Sequence, residues 1–431
     1  MSKRMNVVLI VLDACRREIL KPYASISRDS LAIGPAHTPQ LDKFCRDGVV
    51  IRDCQSCSSS TAISVASILT GVGPHRHGVT TLIGASIFDS VPTFGSLFQQ
   101  KGYTTAFFPS SAVLNRTTGL GTGFSHFDDE FLQPLYDDLQ EQSKVDLKTF
   151  RRHFYKPPSR RLIPGALRFC EITVEAVKTW LSRTADPFAL VVHLIEPHYP
   201  YWPPKGWRVS DDPLDAGNYV SAINYVDQAF IGPLLDLLHA RGSDVITVVT
   251  TDHGEYLGEH GFRDTGDHGD LYQTVLAVPL MIGCSEPRIN RSTSEAAWSH
   301  LDLLPTIYSL ATGDRAENVE GKNRTLDIEE QPRPSWEDAA YNDPSYVRDT
   351  GGLRRGGVAI RLGKHKLIRR APGLGEDELY DLENDPGEHQ NLVDLKPDVL
   401  RALEQHLPPL CSMPINGRSE LPERLAALGY L

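Results

Sequence analysis

The 431-residue chain has few cysteines, no long apolar run and no excess of basic residues. Seven cysteines, a small and odd number, argue against a disulfide-built scaffold. The early apolar run Val7–Leu12 is far too short to span a bilayer or to form the apolar part of a signal peptide, and no later run is long enough. We therefore expect a cytoplasmic protein without a membrane span.

The charge and composition of the chain also limit which class of protein it belongs to. Lys and Arg together number 44 against 55 Asp and Glu, which gives a formal net charge of −11. Nucleic-acid binding relies on basic side chains that neutralise phosphates, so a nucleic-acid partner is not expected. Hydrophobic residues make up 40% and charged residues 23% of the chain, as in ordinary globular proteins. The length suggests either one large domain or one large domain with a smaller one.

Strand-like and helix-like segments alternate through most of the chain. The predicted strands are Val7–Leu12, Thr104–Phe108, Ala189–Ile195, Val245–Thr250 and Val278–Ile282, and the predicted helices are Thr38–Gly48, Ala62–Thr70, Phe94–Lys101 and Tyr219–Arg241. This alternation predicts an α/β fold in which helices cover both faces of a mixed, mainly parallel sheet.

The pattern changes near residue 345. Short strands at close spacing are predicted at Gly356–Arg361, Lys366–Arg370 and Glu378–Leu382, followed by a helix at Pro397–Leu407. We therefore expect a catalytic domain over residues 1–345 and a small α+β subdomain, an antiparallel sheet plus a helix, over residues 346–431. The charged segment Gln142–Arg161 is expected to be an insertion over the site.

Acidic and imidazole side chains follow several predicted strands. Asp13 follows the first strand, His198 follows another two residues after Glu196, and Asp252 and His253 follow a third. Ligands of open parallel sheets bind at the carboxyl ends of the strands, and carboxylates with imidazoles form metal sites. Singly, an Asp there is more often a helix cap and a His more often structural. Their joint occurrence favours a metal site.

Small hydroxylic residues precede the predicted helix that starts near residue 62. The run Ser56–Thr61 leads into a helix N-terminus, where backbone N–H groups and the helix dipole favour an anion. A hydroxyl bound there by a metal becomes a nucleophile. Capping of the helix is the alternative, because Ser and Thr also cap helices well.

The order of the motifs resembles the sulfatase-like branch of the alkaline phosphatase superfamily. The matching segments are Asn6–Asp13, Thr38–Asp42, Ser67–Gly71, Pro74–Val79, Glu196–Tyr201, Thr251–Gly261, His300–Thr306, Glu378–Pro386 and Leu428–Leu431. The resemblance covers nearly the whole chain and implies an alkaline-phosphatase-like fold and hydrolysis of sulfuric or phosphoric esters.

The nucleophile motif departs from that of sulfatases. Counting back from the segment that ends at Gly71 places Thr61 where sulfatases carry the Cys or Ser that is oxidised to formylglycine, and Thr cannot give that group. Ile63 and Val65 replace the usual Pro and Arg, and Ala14 replaces a second Asp. The stretch around Thr61 instead resembles the nucleophile motif of lipid A phosphoethanolamine transferases and, more generally, of lipoteichoic acid synthases.

That second resemblance implies a site residue by residue. It assigns metal binding to Asp13, Thr61, Asp252 and His253, and contacts with the substrate to His198 and His268. It implies one divalent ion, zinc or manganese, because Pro200 stands where two-metal relatives have a His. His253 argues against calcium. His260 or Glu196 is left as a candidate ligand of a second, weaker ion.

Three functions are expected in this order. The first is metal-dependent hydrolysis or transfer of a small-molecule phosphoester, either a phosphodiester or a phosphonate monoester, through a covalent phospho-Thr61. The second is sulfuric ester hydrolysis without formylglycine. The third is a non-catalytic, sulfatase-like binding protein. The sequence gives no indication of oligomeric state.

Overall fold

The computed structural model describes residues 4–24, 34–80, 85–130, 167–199, 201, 203–212, 214–261, 270–285, 292–325, 339–341, 357–370, 373 and 375–407. The segment Gln142–Arg161 and His268 lie outside them. The strands are β1 Asn6–Leu12, β2 Val49–Gln55, β3 Thr104–Phe108, β4 His126–Phe127, β5 Phe188–Leu194, β6 Val245–Thr251, β7 Ala277–Cys284, β8 Ser292–Ser299, β9 Ala339–Tyr341, β10 Gly357–Leu362, β11 His365–Arg370 and β12 Glu378–Asp381.

Most of the α-helices lie between the strands β1 to β8 along the chain. They are α1 Pro39–Asp47, α2 Thr61–Thr70, α3 Pro74–His77, α4 Phe94–Gln100, α5 Cys170–Arg183, α6 Ala216–Val226, α7 Gly232–Arg241, α8 Gln273–Leu276, α9 Leu303–Thr312 and α10 Pro397–Glu404. None of the helices in the described ranges is long and apolar enough to cross a membrane.

Eight strands form the main sheet, in the order β4-β3-β5-β1-β6-β7-β2-β8. Strands β4, β3, β5, β1 and β6 pair in parallel, whereas β7 is antiparallel to both β6 and β2. The α/β fold class predicted from the sequence is therefore confirmed. Strand β1 lies between β5 and β6, so the carboxyl ends of these three strands meet at one edge of the sheet.

Helices cover both faces of this sheet, as predicted. Side chains of β1 alternate between two buried clusters: Leu9 packs with residues of α2, α4 and α9, and Ile10 packs with residues of α5, α6 and α7. Strand β1 is buried on every residue. A strand buried on both faces reads as a continuous apolar run, which is why the sequence predicts it clearly.

The helix predicted over Tyr219–Arg241 is interrupted. A π-helical turn at Asp227–Ile231 separates α6 from α7, and Pro233, which has no N–H to donate, follows it in the first turn of α7. At this turn the carboxylate of Asp227 accepts the backbone N–H groups of Gln40 and Leu41, 3.0 and 2.8 Å away. The interruption thus places a carboxylate at the N-terminus of α1, where the helix dipole favours an anion.

A second, antiparallel sheet has the order β12-β11-β10-β9. Strand β9 lies a few residues before the expected boundary at residue 345, and the domain division stays a prediction. Ile368 and Tyr380 of this sheet share a buried cluster with Tyr272, which precedes β7 of the main sheet. A buried ion pair also joins the two parts, with Arg370 Nη1 2.7 Å from Asp270 Oδ1.

Candidate metal and nucleophile site

Three of the predicted metal ligands converge at the edge where β1, β5 and β6 end. Asp13 directly follows β1, and Asp252 and His253 directly follow β6. All three side chains are buried, and one ligand atom from each lies within 4.8 Å of the others. The parallel pairing of β1 with β6 explains this placement, because it brings the carboxyl ends of both strands to the same edge.

The carboxylate oxygens of this cluster are arranged to receive a cation. Both oxygens of Asp13, and Oδ2 of Asp252, accept no hydrogen bond from the described residues. His253 Nε2 lies 3.8 Å from Asp13 Oδ1 and 3.5 Å from Asp252 Oδ2. Buried carboxylate oxygens without a donor are costly. The donor set of two carboxylates and an imidazole fits a divalent metal ion.

The ring of His253 has the tautomer that a metal ligand needs. Its Nδ1 lies 2.9 Å from the carbonyl oxygen of Gly254, which can only accept a hydrogen bond, so the proton is on Nδ1. The lone pair of Nε2 therefore points toward Asp13 and Asp252. A backbone carbonyl that fixes the distal nitrogen in this way is a common feature of histidine metal ligands.

Thr61 is the first residue of α2, and Ser60 is its N-cap residue. Neither hydroxyl caps the helix: Ser60 makes no capping hydrogen bond, and Thr61 Oγ1 lies 3.2 Å from His253 Nε2. Thr61 is buried beside the cluster. The capping alternative does not describe this residue, whose hydroxyl is directed at the candidate metal ligands.

The main chain of Asp252 is held by hydroxyl groups from the segment on either side of Thr61. Ser56 Oγ and Ser64 Oγ lie 2.6 and 2.7 Å from the carbonyl oxygen of Asp252. Ser64 Oγ in turn lies 3.1 Å from His300 Nδ1, and burial lowers the pKa of His300 to about 3. These contacts fix the start of α2 against the end of β6, and therefore Thr61 against His253.

His198 lies near this cluster, whereas His268 cannot be placed. The His198 and His253 rings are 6.5 Å apart between centroids. His198 Nδ1 lies 2.5 Å from the carbonyl oxygen of Tyr199, so it carries the proton and leaves a lone pair on Nε2. Burial lowers the pKa of His198 to about 4, which keeps the ring neutral at pH 7. The role of His268 stays a prediction.

Burial and mutual repulsion separate the protonation of the two aspartates. Burial, followed by the charges of Asp252 and Glu255, raises the pKa of Asp13 well above its usual range. Burial alone would also raise the pKa of Asp252, but His253 and His193 lower it below its usual value. Asp252 is therefore the more acidic of the two carboxyl groups, and a bound divalent cation would lower the pKa of Asp13.

Two buried residues of this region were missed by the sequence analysis. His193, in β5, has Nε2 3.4 Å from Asp13 Oδ2, and burial raises the pKa of Glu255 to about 8. The signal for His193 was present in the sequence: a histidine interrupts an otherwise apolar strand, where an unexplained polar side chain is costly. Glu255 lies inside a quoted motif, but only its burial distinguishes it.

Other histidines that the motifs contain have different surroundings. His77 is buried, with Nε2 3.0 Å from Ser67 Oγ, and its Nδ1 accepts the N–H of Val79 at 3.0 Å. The two ring nitrogens of His77 thus connect α2 with the residues that follow α3, which indicates a structural role. The His260 ring stacks on Tyr272 with 3.7 Å between centroids. The expectation that His260 or Glu196 binds a second ion stays a prediction.

Comparisons with known proteins agree with this geometry. A sequence model of the family described as Sulfatase matches residues 5–313, and one described as N-sulphoglucosamine sulphohydrolase, C-terminal, matches residues 258–410. The chain is 23% identical over 440 residues to the Escherichia coli (strain K12) protein described as uncharacterized sulfatase YidJ, covering 91% of this chain and 84% of that protein.

A sulfatase and a phosphonate monoester hydrolase are also similar to the chain. The chain is 23% identical over 485 residues to an N-acetylglucosamine-6-O-sulfatase of Bacteroides thetaiotaomicron, covering 91% of this chain and 83% of that protein. It shares the fold of a phosphonate monoester hydrolase of Agrobacterium radiobacter, with a TM-score of 0.68 at 19% identity over 94% of this chain and 96% of the other.

The family match covers the strands that carry the candidate site. The Sulfatase model spans β1 to β8 and so includes Asp13, Thr61, Asp252 and His253. Members of the alkaline phosphatase superfamily use a divalent metal, and the buried cluster is a possible site for one. The chain therefore belongs to the sulfatase family, within the alkaline phosphatase superfamily, and is a hydrolase of sulfuric or phosphoric esters.

Proposed function

We propose that the protein is a metal-dependent hydrolase of a sulfuric ester carried by a small molecule, with Thr61 as the nucleophile. The main support is the position of Thr61 Oγ1, 3.2 Å from His253 Nε2 at the N-terminus of α2. Membership of the sulfatase family and the likeness to a sugar-6-O-sulfatase favour sulfur over phosphorus in the substrate. This order reverses the first two functions expected from the sequence.

A single divalent ion, zinc or manganese, would be held by Asp13, Asp252 and His253, with Thr61 Oγ1 beside it. When bound, the ion would lower the pKa of the hydroxyl and neutralise charge on the sulfuryl oxygens. The protein itself also contributes to binding of the substrate. The helix start at Thr61 directs backbone N–H groups toward the same place, which favours an anionic ester group.

The reaction would proceed by two displacements at sulfur. In the first, the Thr61 oxygen loses its proton and forms a bond to sulfur while the bond between sulfur and the ester oxygen breaks, and the leaving alcohol takes a proton. In the second, water attacks sulfur and loses a proton, the bond to Thr61 breaks, the Thr61 oxygen takes back a proton, and sulfate leaves. Neutral His198 carries the lone pair on Nε2, so it suits the acceptor of the water proton. We assign His268 to the leaving group.

A phosphoester or phosphonate monoester is the second candidate substrate. One observation favours it: Thr61 cannot become formylglycine, and a threonine hydroxyl is the expected nucleophile of the phosphotransfer branch. A non-catalytic binding role is third, because the assembled cluster of Asp13, Thr61, Asp252 and His253 has the donor set of a working site. A cytoplasmic location also stays a prediction.

The test compares Thr61→Ala and Thr61→Ser with Thr70→Ala. Thr70 ends the same helix, and its hydroxyl donates to the carbonyl oxygen of Ala66, 2.6 Å away, so its loss is a matched control far from the cluster. Each protein is assayed with and without chelator on p-nitrophenyl sulfate, p-nitrophenyl phosphate, bis-p-nitrophenyl phosphate and p-nitrophenyl phenylphosphonate.

Metal-dependent sulfate turnover that is lost in Thr61→Ala and kept in Thr70→Ala supports the proposal. Phosphoester turnover with the same dependence, and no sulfate turnover, selects the second candidate. Sulfate turnover that survives in Thr61→Ala overturns the Thr61 mechanism. Absence of turnover and of bound metal in the wild type would favour the binding role.

A further inference from the structure

We propose that His193 is a fourth protein ligand of the metal, so that the site has two imidazole nitrogens and two carboxylates. This inference rests on the metal-dependent site proposed above and extends it to a residue that no motif assigns. His193 lies in β5, and its Nε2 is 3.4 Å from Asp13 Oδ2 and 3.8 Å from Asp252 Oδ2. Its side chain is completely buried.

The strand register explains how His193 reaches the cluster. His193 pairs with Val11 in the parallel β1–β5 ladder, and Asp13 N donates to the carbonyl oxygen of Leu194, 2.8 Å away. Side chains two residues apart in a strand lie on the same face of the sheet. His193 and Asp13 therefore leave the sheet on one face, at neighbouring positions on adjacent strands.

The orientation of the His193 ring is fixed by a polar contact on its far side. Nδ1 lies 2.8 Å from Ser110 Oγ, which follows β3. With a proton on Nδ1 donated to this hydroxyl, Nε2 carries its lone pair toward the two aspartates. His193 Nε2 makes no hydrogen bond within the described part of the chain. At His253 the far nitrogen is also held by an oxygen, there the carbonyl of Gly254.

Both imidazoles lie near one oxygen of Asp252. His193 Nε2 is 3.8 Å and His253 Nε2 is 3.5 Å from Asp252 Oδ2, and each imidazole also lies near one oxygen of Asp13, at 3.4 and 3.8 Å. Donor atoms about 2.1 Å from a five-coordinate ion, which leaves a position for Thr61 Oγ1, lie about 3.0–3.6 Å from one another. Two imidazoles make the site a poor one for calcium, which prefers oxygen ligands, and a good one for zinc.

The alternative is that His193 only donates a hydrogen bond to Asp13 and orients it. The two roles differ in the number of imidazoles bound to the metal. X-ray absorption of the zinc-loaded wild type counts them directly, and two are expected. One bound imidazole would overturn the proposal, and this measurement needs neither a folded variant nor turnover.

Variants give a second readout that is also independent of activity. Zinc affinity is measured by chelator competition, and the visible spectrum is recorded for the cobalt-substituted protein. Loss of a residue that only supports a ligand costs about 10–100-fold in metal affinity. We therefore expect His193→Ala to lose more than ~100-fold, like His253→Ala, and Ser110→Ala to stay within that range. An intact cobalt spectrum with unchanged zinc affinity in His193→Ala contradicts the inference.

A replacement ligand separates coordination from packing. His193→Cys is expected to restore cobalt binding with a new thiolate charge-transfer band, which a merely structural residue would not produce. The outcome is also separable from the proposed function. Tight metal binding through two imidazoles without turnover of any ester leaves this inference standing and removes the catalytic proposal. Turnover with a metal bound by His253 as the sole histidine removes this inference and leaves the catalytic proposal standing.

Discussion

Asp252 Oδ1 accepts the backbone N–H of Ala14 at 3.0 Å and that of His253 at 2.8 Å. One carboxylate oxygen of Asp252 thus ties the end of β1 to the end of β6, and the other is left for the metal site. Ala14 adopts a left-handed backbone, with φ of 55°, to make this contact. The two oxygens of one side chain therefore have separable tasks, structural and ligating.

This separation predicts the effect of Asp252→Asn. The amide oxygen replaces Oδ1 and keeps both backbone donors, while the NH2 group takes the place of Oδ2 and cannot bind a cation. We expect a folded protein with unchanged far-ultraviolet circular dichroism and no detectable zinc in elemental analysis. Asp252→Ala, which loses both tasks, should also unfold at lower temperature. Zinc retained at full occupancy in Asp252→Asn would be incompatible with this assignment.

Metal binding is expected to release a proton from Asp13. Burial and the charges of Asp252 and Glu255 raise the pKa of Asp13, but a metal binds only its ionised form. Metal affinity should therefore weaken as the pH falls. Calorimetric titration of zinc in two buffers that differ in ionisation enthalpy measures the number of protons released. Identical heats in the two buffers would show that Asp13 is already ionised in the metal-free protein.

Acid should destabilise the fold through His77. Burial lowers the pKa of His77 to about 3 from an unfolded value near 6.5, so the unfolded chain binds the extra proton between these limits. The stability that this residue contributes is full above pH 6.5 and is lost as the pH falls, at up to about 1.4 kcal/mol per pH unit. Urea unfolding between pH 5 and 7 measures the slope.

His77→Gln should show a shallower slope by about one proton, whereas His239→Gln, at an exposed position of α7, is the matched control. An equal slope in the wild type and in His77→Gln would place the responsible protons elsewhere.

Alkali should destabilise the metal-free protein through Glu255. Burial raises the pKa of Glu255 to about 8, above the unfolded value near 4.5. The favourable contribution of the protonated form is full below pH 4.5 and is lost as the pH rises toward 8. Glu255→Gln keeps an acceptor for the N–H of Tyr256, which donates to Oε1 at 3.1 Å, and cannot ionise.

The stability of Glu255→Gln relative to the wild type should therefore increase with pH between 5 and 8. Both proteins are measured by chemical unfolding in excess chelator, because a bound cation would oppose the ionisation penalty. A difference that does not change with pH would argue that Glu255 is ionised throughout.

The sequence predicts most of what lies at the centre of the sheet and less of what lies at its edge. Val7–Leu12 is a continuous apolar run, and β1 covers it fully. Strand β8 begins with Ser292, Thr293, Ser294 and Glu295, which hide the strand pattern, and it was missed. Such a strand forms because β2 pairs with it, a contact between residues far apart in sequence.

The candidate site divides in the same way. Asp13, Asp252 and His253 follow their strands directly, so a rule about strand ends finds them. His193 lies inside its strand, and its closeness to Asp13 depends on the register between β1 and β5, which no local pattern specifies. Counting within a motif singled out Thr61, but the contact of Thr61 with His253 required the folded chain.

The ion pair between the two parts predicts a strong effect of Arg370→Met. Its guanidinium neutralises Asp270, and both side chains are buried. Removing one partner of a buried ion pair costs about 3–5 kcal/mol. The double variant Asp270→Asn with Arg370→Met should recover part of the loss in urea unfolding. Equal stability of the single variant and the wild type would show that the pair contributes little.

The same ion pair limits which substitutions the chain tolerates. Asp270 immediately follows the segment 262–269, which carries His268, and its cation comes from a strand 100 residues later. A chain that ended at residue 345 would lack Arg370, and with it the guanidinium that contacts Asp270. A substitution that changes the charge at either position therefore restricts which residues are tolerated at the other.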